Sequence, residues 1–170
     1  PYFIDISKEF IEFLSNEYEL TEFDPIFMRE LAHYEWLELD VSVRKSSQRT
    51  KKWDGFSPIT QVQMSELATL VSYQYPVHQI SAEFSPSQIT EIVYVVVYRD
   101  TTDEVNFTLI NAVSAHLLNS IMKQGRATVD SLTKIMIEAM PQLDVHQITG
   151  SLQQVIKQLL LQEILFLAEQ

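Results

Sequence analysis

Residues Glu91–Ile110 read EIVYVVVYRDTTDEVNFTLI. The first half, Glu91–Arg99, is a near-continuous run of β-branched and aromatic residues, the pattern of a strand buried on both faces. Asp100-Thr101-Thr102-Asp103 is turn chemistry. Glu104–Ile110 then alternates, with Val105, Phe107 and Leu109 on one face and Asn106 and Thr108 on the other. This spacing predicts a β-hairpin.

Helical spacing resumes after it. Asn111 is an N-cap, Val113, Leu117, Leu118 and Ile121 point inward, and Gly125 ends the helix. Thr128 or Asp130 opens a second helix, with Leu132, Ile135, Met136 and Met140 inward and Pro141 as the stop. Asp144 caps a third, with Ile148, Leu152, Val155, Ile156 and Leu159 inward, and Ile164–Leu167 fits a short last strand. A hairpin followed by three helices is the order of a winged helix-turn-helix.

Upstream, Leu67–Ile80 is rich in Val, Tyr and Leu and reads as a strand of the same sheet, bent or left at an edge by Pro76. Ile6–Asn16 places Ile6, Phe10, Phe13 and Leu14 on one helical face. Asp24 and Pro25 open a helix to about Asp40, with Phe27, Leu31 and Tyr34 inward and the stripe continuing at Val41. Both helices carry acids opposite their apolar faces. The expected architecture is α+β: an acidic helical hairpin over 1–43, a basic and polar linker over 44–66, whose stretch Val43–Lys52 reads as an exposed, mobile loop, and a winged-helix-like domain over 67–170. That domain combines a small antiparallel sheet with three helices.

The charge argues against the usual job of such a scaffold. The net charge is −11, and the stretch Arg44–Lys52 holds five bases and no acid. The basic cluster is therefore in the linker, while Glu91–Gln170 is net −4. On the third helix His146, Gln147, Thr149, Ser151, Gln154 and Lys157 face outward, and Lys157 is the one full-time cation among them. Phosphate contacts supply most DNA affinity, so nucleic acid is disfavoured as a partner.

No catalytic signature is present. There is no cysteine, which excludes disulfides, zinc–thiolate sites and cysteine nucleophiles. His33, His78, His116 and His146 fall in four different elements without metal-ligand spacing, and the three glycines form no phosphate-binding loop. The reading is a non-enzyme with no metal and no cofactor. No apolar run reaches the ~20 residues that cross a membrane, and no secretion leader is seen, so a cytoplasmic protein is expected. Pro1 stands where Met would start a chain, and the opening reads as the middle of a longer protein.

A hairpin with helices can instead bind a peptide by strand addition. Glu104–Ile110 is the candidate edge, with Asn106 and Thr108 read as its outer backbone positions. The alternative is that the Leu67–Ile80 strand covers that edge. Tyr34 and Trp36 compete for the inward stripe of their helix, and a docking role requires Trp36 to be partly exposed.

Three motifs stand out: Leu31-Ala32-His33-Tyr34-Glu35-Trp36, Tyr73-Gln74-Tyr75-Pro76-Val77-His78 and Val97-Tyr98-Arg99-Asp100. With the opening Pro1-Tyr2-Phe3-Ile4-Asp5-Ile6 and Glu9-Phe10, they make the chain resemble the HvfC/BufC family of peptide-modification chaperones over nearly all of its length. The resemblance implies a further helical domain of roughly ninety residues upstream. It also implies a role beside a multinuclear non-haem iron oxidase that modifies cysteines of a small precursor peptide, the iron ligands belonging to the oxidase. His33, Tyr34, Trp36, Tyr75, His78 and Arg99 are then expected to dock the partner. Glu91–Gln170 is similar to PqqD-like peptide-recognition elements, notably at Leu109-Ile110-Asn111 and at Gly125 and Thr128-Val129. In such elements the leader peptide adds to the third strand, against the third helix. Here that groove maps to Val105, Asn106, Phe107, Thr108 and Leu109 with Ile148, Ser151, Leu152 and Val155. A winged-helix transcription factor is the competing reading.

Overall fold

A computed structural model describes residues 2–48 and 52–168, and of residues 2–4 the backbone alone. Two helices come first, α1 (Tyr2–Asn16) and α2 (Met28–Val43). The strands β1 (Gln61–Met64), β2 (Ala68–Tyr73), β3 (Val93–Arg99) and β4 (Val105–Ile110) follow. Then come α3 (Ala112–Gln124), β5 (Arg126–Thr128), α4 (Val129–Ala139), α5 (Val145–Leu161) and β6 (Leu165–Leu167).

The run Glu91–Arg99 is apolar on consecutive positions because β3 is covered on both faces. It lies at the centre of an antiparallel sheet of order β2-β3-β4. Val95 and Val97 pack on one side with Leu37 and Val41 of α2 and with Tyr73 and Val77. Val96 and Tyr98 pack on the other with Leu117, Ile121 and Leu132 and with α5 residues such as Ile156. Each such buried side chain contributes roughly 1.5–3 kcal/mol. The sheet is therefore a middle layer between α2 and the three-helix body.

That body has a second sheet, of order β5-β1-β6. β1 falls inside the stretch expected to be a linker. It pairs with both β5 and β6, and Val62 at its centre is fully buried. A four-residue strand flanked by polar residues gives little periodicity, which is why it escapes a reading by pattern. Residues 44–48 also differ from a free loop: Ser47 and Gln48 donate backbone N–H groups to the Glu66 carboxylate, and Gln48 Nε2 donates to Met64 O. Arg49, Thr50 and Lys51 of the basic cluster lie outside the described residues.

The helix signals after the hairpin hold. Asn111, Thr128 and Asp144 each accept a backbone N–H as N-caps, and Gly125 takes φ 71° at the end of α3, on the positive side that favours glycine. Val113 is the exception among the inward residues, being exposed.

The upstream expectations need three corrections. α2 starts at Met28, without a side-chain cap, rather than at Pro25. Asp24 instead closes the preceding turn, accepting from Thr21 N–H, the Thr21 hydroxyl and the Tyr18 hydroxyl. β2 stops at Tyr73, after which the chain bends through a 3-10 turn at Val77–Gln79. On α1 only Leu14 of the expected stripe is buried, while Ile6, Phe10 and Phe13 are exposed.

Polar fasteners hold the middle layer. The Glu30 carboxylate of α2 accepts the backbone N–H groups of Gln74 and Tyr75. Arg99 donates to the carbonyls of Ser42 and Arg44, where α2 leaves its last acceptors unpaired. Buried Glu163, between α5 and β6, accepts Thr101 N–H at 2.6 Å and Lys52 Nζ at 2.5 Å, pinning the hairpin turn to the helical body.

Candidate peptide-binding edge and cleft

The hydrogen-bonding phase of β4 follows from one turn contact. Asp100 N–H donates to Glu104 O across the hairpin, which makes 100 and 104 a hydrogen-bonded pair. Antiparallel pairs alternate, so with Tyr98 opposite Asn106 and Val96 opposite Thr108, Asn106, Thr108 and Ile110 bond inward to β3. Val105, Phe107 and Leu109 send N–H and C=O outward. This reverses the expectation that Asn106 and Thr108 hold the outer positions. The phase agrees with the far side of β3, where Arg99 N–H donates to Leu67 O.

The outward row is open. Among the described residues β4 pairs with β3 alone, and β2 lies at the opposite edge of the sheet rather than over it. Val105 and Phe107 rest their side chains on the α2 side of the sheet, Phe107 4.9 Å from Tyr34 between ring centroids. Leu109 is 53% exposed. Asn106 Nδ2 donates to the Asp100 carboxylate, stiffening the turn.

At its C-terminal end β4 runs through Ile110 into Asn111, and Asn111 lines a cleft of about 630 Å³ between α3, α4 and α5. Ile148, Ser151, Leu152 and Val155, the four α5 residues expected in the groove, all line it. The five β4 residues do not; the strand reaches the cleft only by its last step into α3. His146, Gln147 and Gln154, read from sequence as outward-facing, line it too, and residues read as core, above all Met136, Met140 and Leu117, supply more of the wall. Helical spacing marks them as inward-facing, but it does not distinguish a sealed core from a groove wall. No Asp, Glu, Lys or Arg lines the cleft, so it suits an apolar side chain with a few hydrogen bonds at its rim.

The residues expected to dock a partner gather elsewhere, around α2. His33 Nδ1 lies 2.9 Å from the Tyr73 hydroxyl, and its ring is 5.8 Å from that of Trp36. Burial pushes the His33 pKa down, against the opposing pull of Asp40 and Glu30. Burial likewise raises the Tyr73 phenol, with Glu30 adding to the effect. The tautomer of His33 sets which of the two groups donates in this contact. Trp36 is half-buried, the partial exposure that docking requires, and its Nε1 has no hydrogen-bond partner. His78 sits on the 3-10 turn with Nδ1 buried and unpartnered, and burial lowers its pKa. Tyr75 stacks edge-on against Phe27. Arg99 differs from these five, since it is committed to the end of α2.

Glu163 carries no sequence motif beyond being the one charge in the apolar run from Leu159 to Ala168. Burial alone would raise its carboxyl, but the Lys52 ammonium and the Thr101 N–H hold it below the usual range. It fastens the hairpin turn to the helical body.

The family model described as the HvfC C-terminal domain matches residues 65–160. The chain belongs to that family. No curated protein matches it. The matched HvfC segment begins just before β2 and ends near the close of α5, so it contains the whole central sheet, the open edge and the cleft, while α1 and α2 precede it. HvfC proteins are partner subunits rather than catalytic ones. Among the described residues, no group of three or more His, Cys, Asp or Glu could hold a metal, and no helix is long and apolar enough to cross a membrane.

Proposed function

We propose that this chain is a non-catalytic, cytoplasmic partner subunit that binds the leader segment of a precursor peptide and brings it to a multinuclear non-haem iron oxidase. The peptide adds as a strand outside β4 and seats an apolar side chain in the α3–α4–α5 cleft. The α2 surface around His33, Tyr34, Trp36, Tyr75 and His78 receives the oxidase. The observation that supports this reading is continuity: the outward donors at Val105, Phe107 and Leu109 lead along one strand to a cleft whose wall holds no Asp, Glu, Lys or Arg. Backbone pairing supplies affinity in such binding, and the cleft supplies selectivity.

The test is fluorescence anisotropy with a labelled leader peptide. Leu109→Pro removes one outward N–H and leaves the ladder to β3 intact. Binding should fall by more than tenfold while the circular dichroism spectrum is unchanged. Binding of the wild-type chain to a DNA duplex that fades steeply with salt, with no peptide binding at all, would instead select the transcription-factor reading.

A further inference from the structure

We propose that β4 is also a self-recognition edge: without peptide, two copies of the chain pair β4 against β4, antiparallel, about a twofold axis at Phe107. The competition with peptide rests on the reading above; the self-pairing does not.

The register is self-complementary. The outward positions Val105, Phe107 and Leu109 are centred on Phe107. Antiparallel pairing there sets Phe107 against Phe107 of the second copy, and Val105 against its Leu109, twice over by symmetry. These are the positions that send N–H and C=O outward, so opposed residues exchange both hydrogen bonds. On the α2 side, exposed Leu109 gains Val105 of the second copy as cover. On the other face Asn106 meets Thr108, both uncharged. From Val105 to Ile110 there is no charge and no proline.

Natural sheet edges are usually guarded by charge, proline or a bulge. The opposite edge of this sheet is guarded: Arg44 Nη1 donates to Thr69 Oγ1 and Glu66 O at the start of β2, and Glu30 takes the N–H groups just past its end. β4 has no such guard. Space allows the pairing as well. α2 packs mainly over β3, and paired edges separate the two β3 strands by roughly 14 Å at ~4.8 Å per strand. Packed helices need only ~8–10 Å. A charge of −11 on each copy opposes association, so the dimer is weak and strengthens as salt screens that repulsion.

Sedimentation velocity of the chain alone tests this, over rising protein concentration at low and high salt. The expected result is a monomer–dimer shift that salt enhances, that Leu109→Lys abolishes and that Ile6→Lys leaves alone. The second variant places the same charge on the other exposed apolar stripe. Because the chain has no cysteine, single cysteines report the register. Phe107→Cys should crosslink to itself on oxidation. Val105→Cys and Leu109→Cys should crosslink when mixed and not separately, a readout that stands even if Phe107→Cys weakens packing on Tyr34. A monomer at every concentration, a dimer that survives Leu109→Lys, or one lost in Ile6→Lys would overturn the proposal. No peptide enters the test, so failure here leaves the peptide reading standing.

Discussion

The two edges of the central sheet differ in what closes them. Along β2, Arg44 covers the start and Glu30 the end, each a charged side chain reaching from α2 or its C-terminus to backbone or hydroxyl groups of the strand's surroundings. Along β4, the outward groups of Val105, Phe107 and Leu109 meet no strand among the described residues. Both edges belong to the same sheet and were subject to the same aggregation hazard. That one edge is closed with charged groups while the other is bare is what supports the proposal that a partner pairs at β4.

The strongest way to break this comparison uses neighbouring prolines. Thr108 donates inward to β3, so Thr108→Pro removes a ladder hydrogen bond and should cost about 1–3 kcal/mol in stability, read as a lowered urea midpoint. Leu109→Pro, one residue along, should leave the midpoint nearly unchanged while removing peptide binding. Equal destabilisation by the two would mean that the phase assigned to β4 is wrong.

A smaller effect is expected at the closed edge. Glu30→Ala strips the Gln74 and Tyr75 N–H groups of a charged acceptor, a loss of about 1.5 kcal/mol. Peptide affinity should not change, because nothing on β4 moves. Thermal melting combined with anisotropy separates the two readouts.

The smallest effect is a pH dependence on the α2 side of the sheet. Burial lowers the pKa of His33 and His78 below the ordinary 6.5. The unfolded chain then takes up protons first, so this stability is complete above 6.5 and declines as pH falls below it. Glu163 is depressed from 4.5, and its contribution is present above that value and lost as pH falls through the lower, folded one. Between 6.5 and 4.5 the slope therefore belongs to the histidines. His33→Gln should flatten it, as denaturant titrations at several pH values would show.

Much of the fold was legible because its signals are local. The Asp100–Asp103 turn, the caps at Asn111, Thr128 and Asp144, and Gly125 each act within a few residues of where they stand. The double burial of β3 showed in its uninterrupted apolar run. What stayed hidden depends on distant partners. β1 owes its existence to β5 and β6, more than sixty and a hundred residues away along the register at Val62. The stripe of Ile6, Phe10 and Phe13 says that α1 is amphipathic, but α2 covers only its Leu14 side. At the candidate site, the α5 wall of the cleft was legible and the α3 and α4 walls were not. Side-chain alternation along β4 named its two faces, yet the direction of its N–H groups hung on the contact of Asp100 with Glu104.

The most direct test of the peptide account is residue-resolved hydrogen exchange, with and without the precursor leader segment. In the free chain, kept dilute and at low salt so that it is monomeric, the amides of Asn106 and Thr108 should already be slow, and those of Val105, Phe107 and Leu109 fast. On adding peptide, the account predicts that these three slow together with amides flanking the cleft near the start of α5. Peptide binding that leaves Val105, Phe107 and Leu109 fast while protecting α1 or α2 instead would contradict it.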